Sequence, residues 1–230
     1  DNGHRCGGST LANLTALWAA REHGVNAVIA SADAHLSIGK AAHILGLPFV
    51  TLETTPAGKI KLEEAPDLTS AALVLTAGTT GRGVIDPLTH AAASTARWLH
   101  IDAAWAGPMQ LTRYRPLLRG IEAADSISIS AHKWFFQPKE SALCLFNSSA
   151  SRDAVSFGSS YLAQPNVGVQ GSRGAAALTL LATLLAWGRD GLDERIHACM
   201  ALAEALAERL QDNEKTELRS WPETAVINWR

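Results

Sequence analysis

Lys133 closes an alternating run, Ser126-Ile127-Ser128-Ile129-Ser130-Ala131-His132-Lys133, whose first half repeats polar and β-branched residues with the period of a strand. A lysine delivered into a loop at a strand end offers an amine for covalent chemistry. Asp102, 31 residues earlier, ends a second strand-like run that begins at Trp98 and is followed by the small residues Ala103 and Ala104. An acid and a lysine at the ends of parallel strands share one rim of an open α/β sheet, where such sheets bind ligands. A third cluster, Gly7-Gly8-Ser9-Thr10, precedes a helical pattern. It places two hydroxyls and free N–H groups at a helix start, which suits an anion.

Pyridoxal phosphate asks for these three features together. It is held as a Schiff base to a lysine, its ring nitrogen is kept protonated by a carboxylate, and its phosphate takes hydroxyls and backbone N–H groups. Lys133, Asp102 and the Ser9/Thr10 turn are the candidates. A carboxylate closing an apolar strand is costly to bury without a positive partner. The protonated ring nitrogen would be that partner, and Ala104 leaves room for the ring beside the backbone. Each residue also has a plainer reading, with Asp102 as a helix cap or salt-bridge acid, Lys133 as an exposed loop lysine and Ser9 as an ordinary N-cap.

The sequence resembles the group II pyridoxal-phosphate-dependent amino-acid decarboxylases, the family of aromatic-amino-acid, glutamate and histidine decarboxylases. Segments 7–17, Ala34-His35 with Ser37, Thr76–Thr80, His100–Gly107, Ala124–Ser126 and Ser130–Trp134 carry the likeness in family order. The resemblance implies an α/β fold, a mainly parallel sheet flanked by helices, in the aspartate-aminotransferase-like fold type I. It implies that His35 stacks on the pyridine ring and helps position substrate, against the plainer reading of a loop or capping histidine. It places Thr76 and Thr79 near the cofactor, gives Ser130 a polar contact, and makes His132 a proton handler or phosphate neighbour. The expected reaction is decarboxylation of an L-amino acid in a homodimer with shared sites. The Asp-Ala-Ala-Trp form resembles bacterial decarboxylases acting on small acidic or diamino acids such as aspartate or diaminobutyrate.

The elements that must position these residues follow from periodicity. Asp1–Gly8 reads as a loop and Thr10–Glu22 as a helix with Ser9 or Thr10 as its N-cap. Strands are expected at Asn26–Ser31, Phe49–Leu52, Ala71–Thr76, in the Trp98–Trp105 run up to its acid, in the first half of Ser126–Lys133, at Ser141–Phe146 and at the closing Ala225–Arg230. Helices are expected at Ser37–Leu45, from Asp86 to about Arg97, over Pro116–Asp125, over Ala175–Trp187 and, after a break at Gly188–Gly191, over Leu192–Gln211. The last of these buries Ile196, Met200, Ala203, Leu206 and Leu210 on one face. The division expected is a cofactor-binding large domain over 1–190 and the start of a small C-terminal domain over 191–230. No initiator Met opens the chain and a strand closes it, which reads as a piece of a longer protein.

A chain of 230 residues with 47% hydrophobic residues buries a large core, and a formal charge of −2 gives no cause to expect nucleic acid or an anionic membrane as partner. No apolar run of about 18 residues is present for a membrane span. Cys6, Cys144 and Cys199 show neither metal-ligand nor disulfide spacing, so no metal is expected and a reducing cytoplasm fits. Two alternatives accompany the decarboxylase reading. One is a different pyridoxal-phosphate reaction, oxidative decarboxylation-deamination or transamination. It is raised because the glycine-rich stretch 147–174 is short and holds a single tyrosine, Tyr161, where the resembled enzymes carry a longer loop with a protonating tyrosine. The other is a scaffold of this fold without catalysis.

Overall fold

The computed structural model describes residues 2–91, 93–171 and 174–230. A seven-stranded sheet carries the molecule, in the order β1-β7-β6-β5-β4-β2-β3. Its strands are β1 (Gly3–Cys6), β2 (Ala27–Ser31), β3 (Phe49–Leu52), β4 (Ala71–Thr76), β5 (Trp98–Asp102), β6 (Ser126–Ser130) and β7 (Ala142–Phe146). Strands β2 to β6 run parallel, and β7 is antiparallel to both β6 and β1. All of β4 and β5 is buried, as strands covered on both faces must be.

The side-chain period of two sorts the sheet into faces. Ala72, Val74, Trp98, Val28 and Ala30 pack under α1 (Ser9–Glu22) with its Ala12, Ala16, Leu17 and Ala20. Leu73, Leu75, Leu99, Ile101 and Ile129 face the other way, onto Met109, Leu118, Trp134 and Phe135 and onto Leu192, Ile196 and Met200 of α5 (Ala176–Gln211). Helix α2 (Ser37–Leu45) follows β2 and ends on Gly46 in the left-handed conformation. Because β1 runs with β6, the start of α1 lies on the same rim as the carboxyl ends of the parallel strands.

Several expected elements differ. Residues 3–6 form β1 rather than a loop, pairing Gly3–Cys6 with the edge of β7. The N-cap of α1 is Gly8, at φ 152, with no side-chain cap; Ser9 and Thr10 lie in the first turn. The helix expected from Asp86 to Arg97 is only α3 (Leu88–Ala91). After it the Arg97 N–H goes to Leu68 O and its side chain to His23 O, which draws the chain into β5. In place of a helix over Pro116–Asp125 there are two 3-10 turns, Arg115–Leu118 and Ile121–Ala123, parted by Gly120 at φ 97, where an added Cβ would come within 2.7 Å of the Leu88–Thr89 backbone.

Segment 147–171 contains α4 (Ser149–Asp153) and a small ribbon of β8 (Ser156–Phe157) and β9 (Asn166–Val167). Helix α5 (Ala176–Gln211) breaks at Gly188 alone, at φ 60. On its second half Ile196, Met200, Ala203 and Leu210 are buried, whereas Leu206 is 45% exposed and Ala207 takes its place in the core. Residues 225–230 make no strand; a bridge between Leu218 and Trp229 is all that forms. No helix of the described residues is long and apolar enough to cross a membrane.

Candidate active site

The chain reverses its direction of growth across the sheet between β2 and β4, and the loops that follow β2, β4, β5 and β6 meet at that rim. His35 comes after β2, Gly78 and Thr79 after β4, and Lys133 after β6. Thr76, Asp102 and Ser128 stand in register across β4, β5 and β6. The structure thus brings together on one rim the residues that the sequence spreads over a hundred positions.

Asp102 is 3% exposed and accepts three hydrogen bonds. Ser128 Oγ at 3.1 Å and the Ala104 N–H at 3.1 Å reach Oδ1, and Asn13 Nδ2 reaches Oδ2 at 2.9 Å. A carboxylate has about four acceptor positions, so one on Oδ2 is left over. No ion pair to Asp102 exists among the described residues. Beside it, Thr76 Oγ1 is buried without a hydrogen-bond partner, and so is Trp105 Nε1.

Lys133 belongs to a tight turn. Its N–H reaches Ser130 O, the Phe136 N–H reaches Lys133 O, and Gln137 N–H returns to Ala131 O. Buried Trp134 and Phe135 pin that turn, with Phe136 at φ 55. Lys133 Nζ lies 5.9 Å above the Trp105 ring, and Trp105 packs 5.0 Å from Trp134. Burial pushes the lysine pKa down, against the opposing pull of the Asp102 charge. His132 Nδ1 is 3.1 Å from Ser130 Oγ, and burial followed by the Lys133 and Lys139 charges lowers its pKa.

His35 is half-buried. Its Nδ1 meets the Ser37 hydroxyl at 2.8 Å and the Ser37 N–H at 3.2 Å. Thr79 is turned to another task, its hydroxyl accepting the Val84 N–H across the loop. Ser9 is half-buried and Thr10 exposed at the α1 start, where Gly8 needs its positive φ. Tyr161 is 83% exposed.

The residues present fit pyridoxal phosphate. A buried acid with no ion pair among the described residues has a free acceptor position, an orphaned hydroxyl lies in register with it, and a lysine of lowered pKa stands at the next strand end. A family model described as "Pyridoxal-dependent decarboxylase conserved domain" matches residues 20–230.

The chain belongs to the pyridoxal-dependent decarboxylase family. It is 33% identical to an L-2,4-diaminobutyrate decarboxylase of Rhizobium meliloti (strain 1021), across 100% of this chain and 53% of that protein. It is 28% identical to an aspartate 1-decarboxylase of Aliivibrio fischeri, across 98% of this chain and 50% of that one. The crystal structure of mouse CSAD superposes with a TM-score of 0.86 at 28% identity, covering 99% of this chain and 56% of that chain. The chain therefore spans about half the length of the curated relatives it matches. Family membership confirms the fold type I architecture and the cofactor expected from the sequence.

Asn13, His100, Ser37, Ser126 and Ser128 had no role assigned from sequence, and all are buried in the site's supporting layer. The signal for them was present. Trp98, His100 and Asp102 alternate along β5, as Ser126, Ser128 and Ser130 do along β6, and period two puts each set on one face.

Proposed function

We propose that the whole protein decarboxylates a small polar L-amino acid with pyridoxal phosphate bound at Lys133. The observation that carries this reading is the buried Asp102, without an ion pair among the described residues, on the same rim as an amine whose charging is opposed by burial. When bound, the cofactor supplies an electron sink for the pair released as CO2 leaves. Lys133 holds the cofactor through its unprotonated amine. Asp102 would accept from the ring nitrogen through its free position on Oδ2, Thr76 would offer its idle hydroxyl beside it, and Ala104 would leave room at that wall. Ser9 and Thr10, with N–H groups of the α1 start, would receive the phosphate. Ser130 orients His132 beside the lysine, while His35, its Nδ1 engaged by Ser37, would lie against the ring and present Nε2 to the substrate side.

Relatives named for diaminobutyrate, aspartate and cysteine sulfinic acid support a short substrate whose side chain carries a charge. On the sequence reading alone, we also propose a homodimer with shared sites, a cofactor domain over 1–190 with a small domain beginning near 191, a cytoplasmic setting, and no nucleic acid or membrane partner. The test is CO2 release by the full-length protein with added pyridoxal phosphate, across acidic, diamino and aromatic L-amino acids. Release with an acidic or diamino acid, lost in Lys133→Ala, is the expected result. A lysine-bound cofactor spectrum without CO2 from any of them would refute the reaction.

A further inference from the structure

Asn13, on α1, is fully buried, and both ends of its amide are engaged. Nδ2 donates to Asp102 Oδ2 and to Ser37 Oγ, each at 2.9 Å, while Oδ1 faces His100 Nε2 at 3.0 Å. The amide has one workable orientation. Turned over, it would set an oxygen 2.9 Å from a carboxylate oxygen with no hydrogen between them. His100 must then carry its proton on Nε2.

Complete burial lowers the His100 pKa to about 4 despite the Asp102 charge, so the ring is neutral and has one proton to give. Its Nδ1 faces two Ser126 oxygens, the hydroxyl at 2.8 Å and the carbonyl at 3.2 Å; with the proton on Nε2 it accepts from the nearer hydroxyl, and Ser126 Oγ accepts the Trp98 indole N–H at 2.9 Å. At the far end Ser37 Oγ, having accepted from Asn13, gives its hydrogen to His35 Nδ1. The donors thus run one way, from the Trp98 indole through Ser126, His100 and Asn13, dividing there to Asp102 and His35.

We infer that Asn13 is a positioning residue, fixing the carboxylate plane of Asp102 and, through the Ser37 hydroxyl, the ring of His35, with His100 holding the amide in the orientation that serves both. This rests on the reading of Asp102 as the acid that meets the cofactor. Asn13 itself need touch neither cofactor nor substrate. Without it, Asp102 keeps two donors on Oδ1 and none on Oδ2 among the described residues.

The test is a double-mutant cycle in the full-length protein: wild type, Asn13→Leu, Asp102→Asn and the pair, read as the pyridoxal phosphate dissociation constant. Asn13→Leu alone is expected to weaken binding roughly ten- to a hundredfold, the effect of one hydrogen bond to a charged group. In the Asp102→Asn background the same change is expected to cost less than about threefold, because the carboxylate it orients is gone. Equal losses in both backgrounds would make Asn13 a packing residue and overturn the inference. Nitrogen NMR of histidine-labelled, cofactor-free wild type tests it without any variant having to fold. His100 is expected to carry its proton on Nε2, and Nδ1–H on His100 would overturn it. A wild type that binds no pyridoxal phosphate would defeat the cofactor reading instead, leaving the NMR result to stand by itself.

Discussion

Thr76→Val separates what the polypeptide needs from what the cofactor needs. Thr76 ends β4 in register with Asp102, is 5% exposed, and its Oγ1 has no partner. Its backbone is fully used, the N–H by Asp86 Oδ2 at 2.8 Å and the carbonyl by the Asp86 N–H at 3.0 Å. The hydroxyl alone is idle. A buried polar group left unsatisfied costs about 1–3 kcal/mol, and valine has the same shape and suits a central strand. The variant is expected to stabilise the cofactor-free protein by about 1 kcal/mol, the low end of that range. It is also expected to weaken pyridoxal phosphate binding by up to about tenfold, since a neutral hydrogen bond contributes about 0.5–1.5 kcal/mol. Urea denaturation of the full-length apoprotein at fixed concentration measures the first effect and a cofactor titration the second. Destabilised apoprotein would mean that the hydroxyl already has a partner, such as a water. Unchanged affinity would mean that it never meets the cofactor, and either result refutes the reasoning.

Three other outcomes follow from the same geometry. Burial lowers the Lys133 pKa, so an amine-directed acylating reagent applied to the apoprotein is expected to modify Lys133 at lower pH than exposed Lys139; mass spectrometry of the labelled peptides reads the order. Asp86, held by the Ile60 and Thr76 N–H groups, has its pKa raised by burial from 3.8 to about 6. A folded pKa above the unfolded one means that the Asp86 contribution to stability is greatest below about pH 4 and falls as pH rises to about 6, by up to about 3 kcal/mol; Asp86→Asn should remove that component of the slope in denaturation curves taken across this range. Gly78 sits at φ 94, where an added Cβ would come within 2.8 Å of Trp105 Cδ1, so Gly78→Ala is expected to cost about 2 kcal/mol or more in apoprotein stability and to move the indole under Lys133.

The sheet was legible because β2 and β4 are short apolar runs while β6 alternates polar with β-branched residues, patterns that burial within a sheet imposes. The site's frame was legible for the same reason: Asp102, His35 and Lys133 fall at strand ends whatever the packing beyond them. What escaped were elements settled by partners far along the chain. Gly3–Cys6 is polar and short, and becomes a strand only because β7 offers it an unpaired edge. The helix expected after Asp86 has ample alanine, yet tertiary hydrogen bonds at Arg97 end it early. Leu206 fits the helical stripe by spacing, but the core reaches α5 where the small Ala207 sits. Asn13 was hidden differently, since a single asparagine in an apolar helix shows its worth only once β5 places His100 and Asp102 against it.

The division of labour between Asp102 and Lys133 follows from where each is anchored. Taking a carboxylate out of water is costly unless hydrogen bonds replace the solvent, and three neutral donors do so for Asp102 from the turn after β5, from β6 and from α1. An acid held from three elements in the middle of a sheet has no freedom to follow a reaction. Lys133 is the opposite case, a flexible four-carbon stem on a turn, its charged form disfavoured by burial and its nitrogen over an indole face. The group that must keep still is built into the strand network, and the group that must engage and release is set on the loop beyond it. Moving the acid to the loop or the lysine to the strand would lose that arrangement even with the same two residues present.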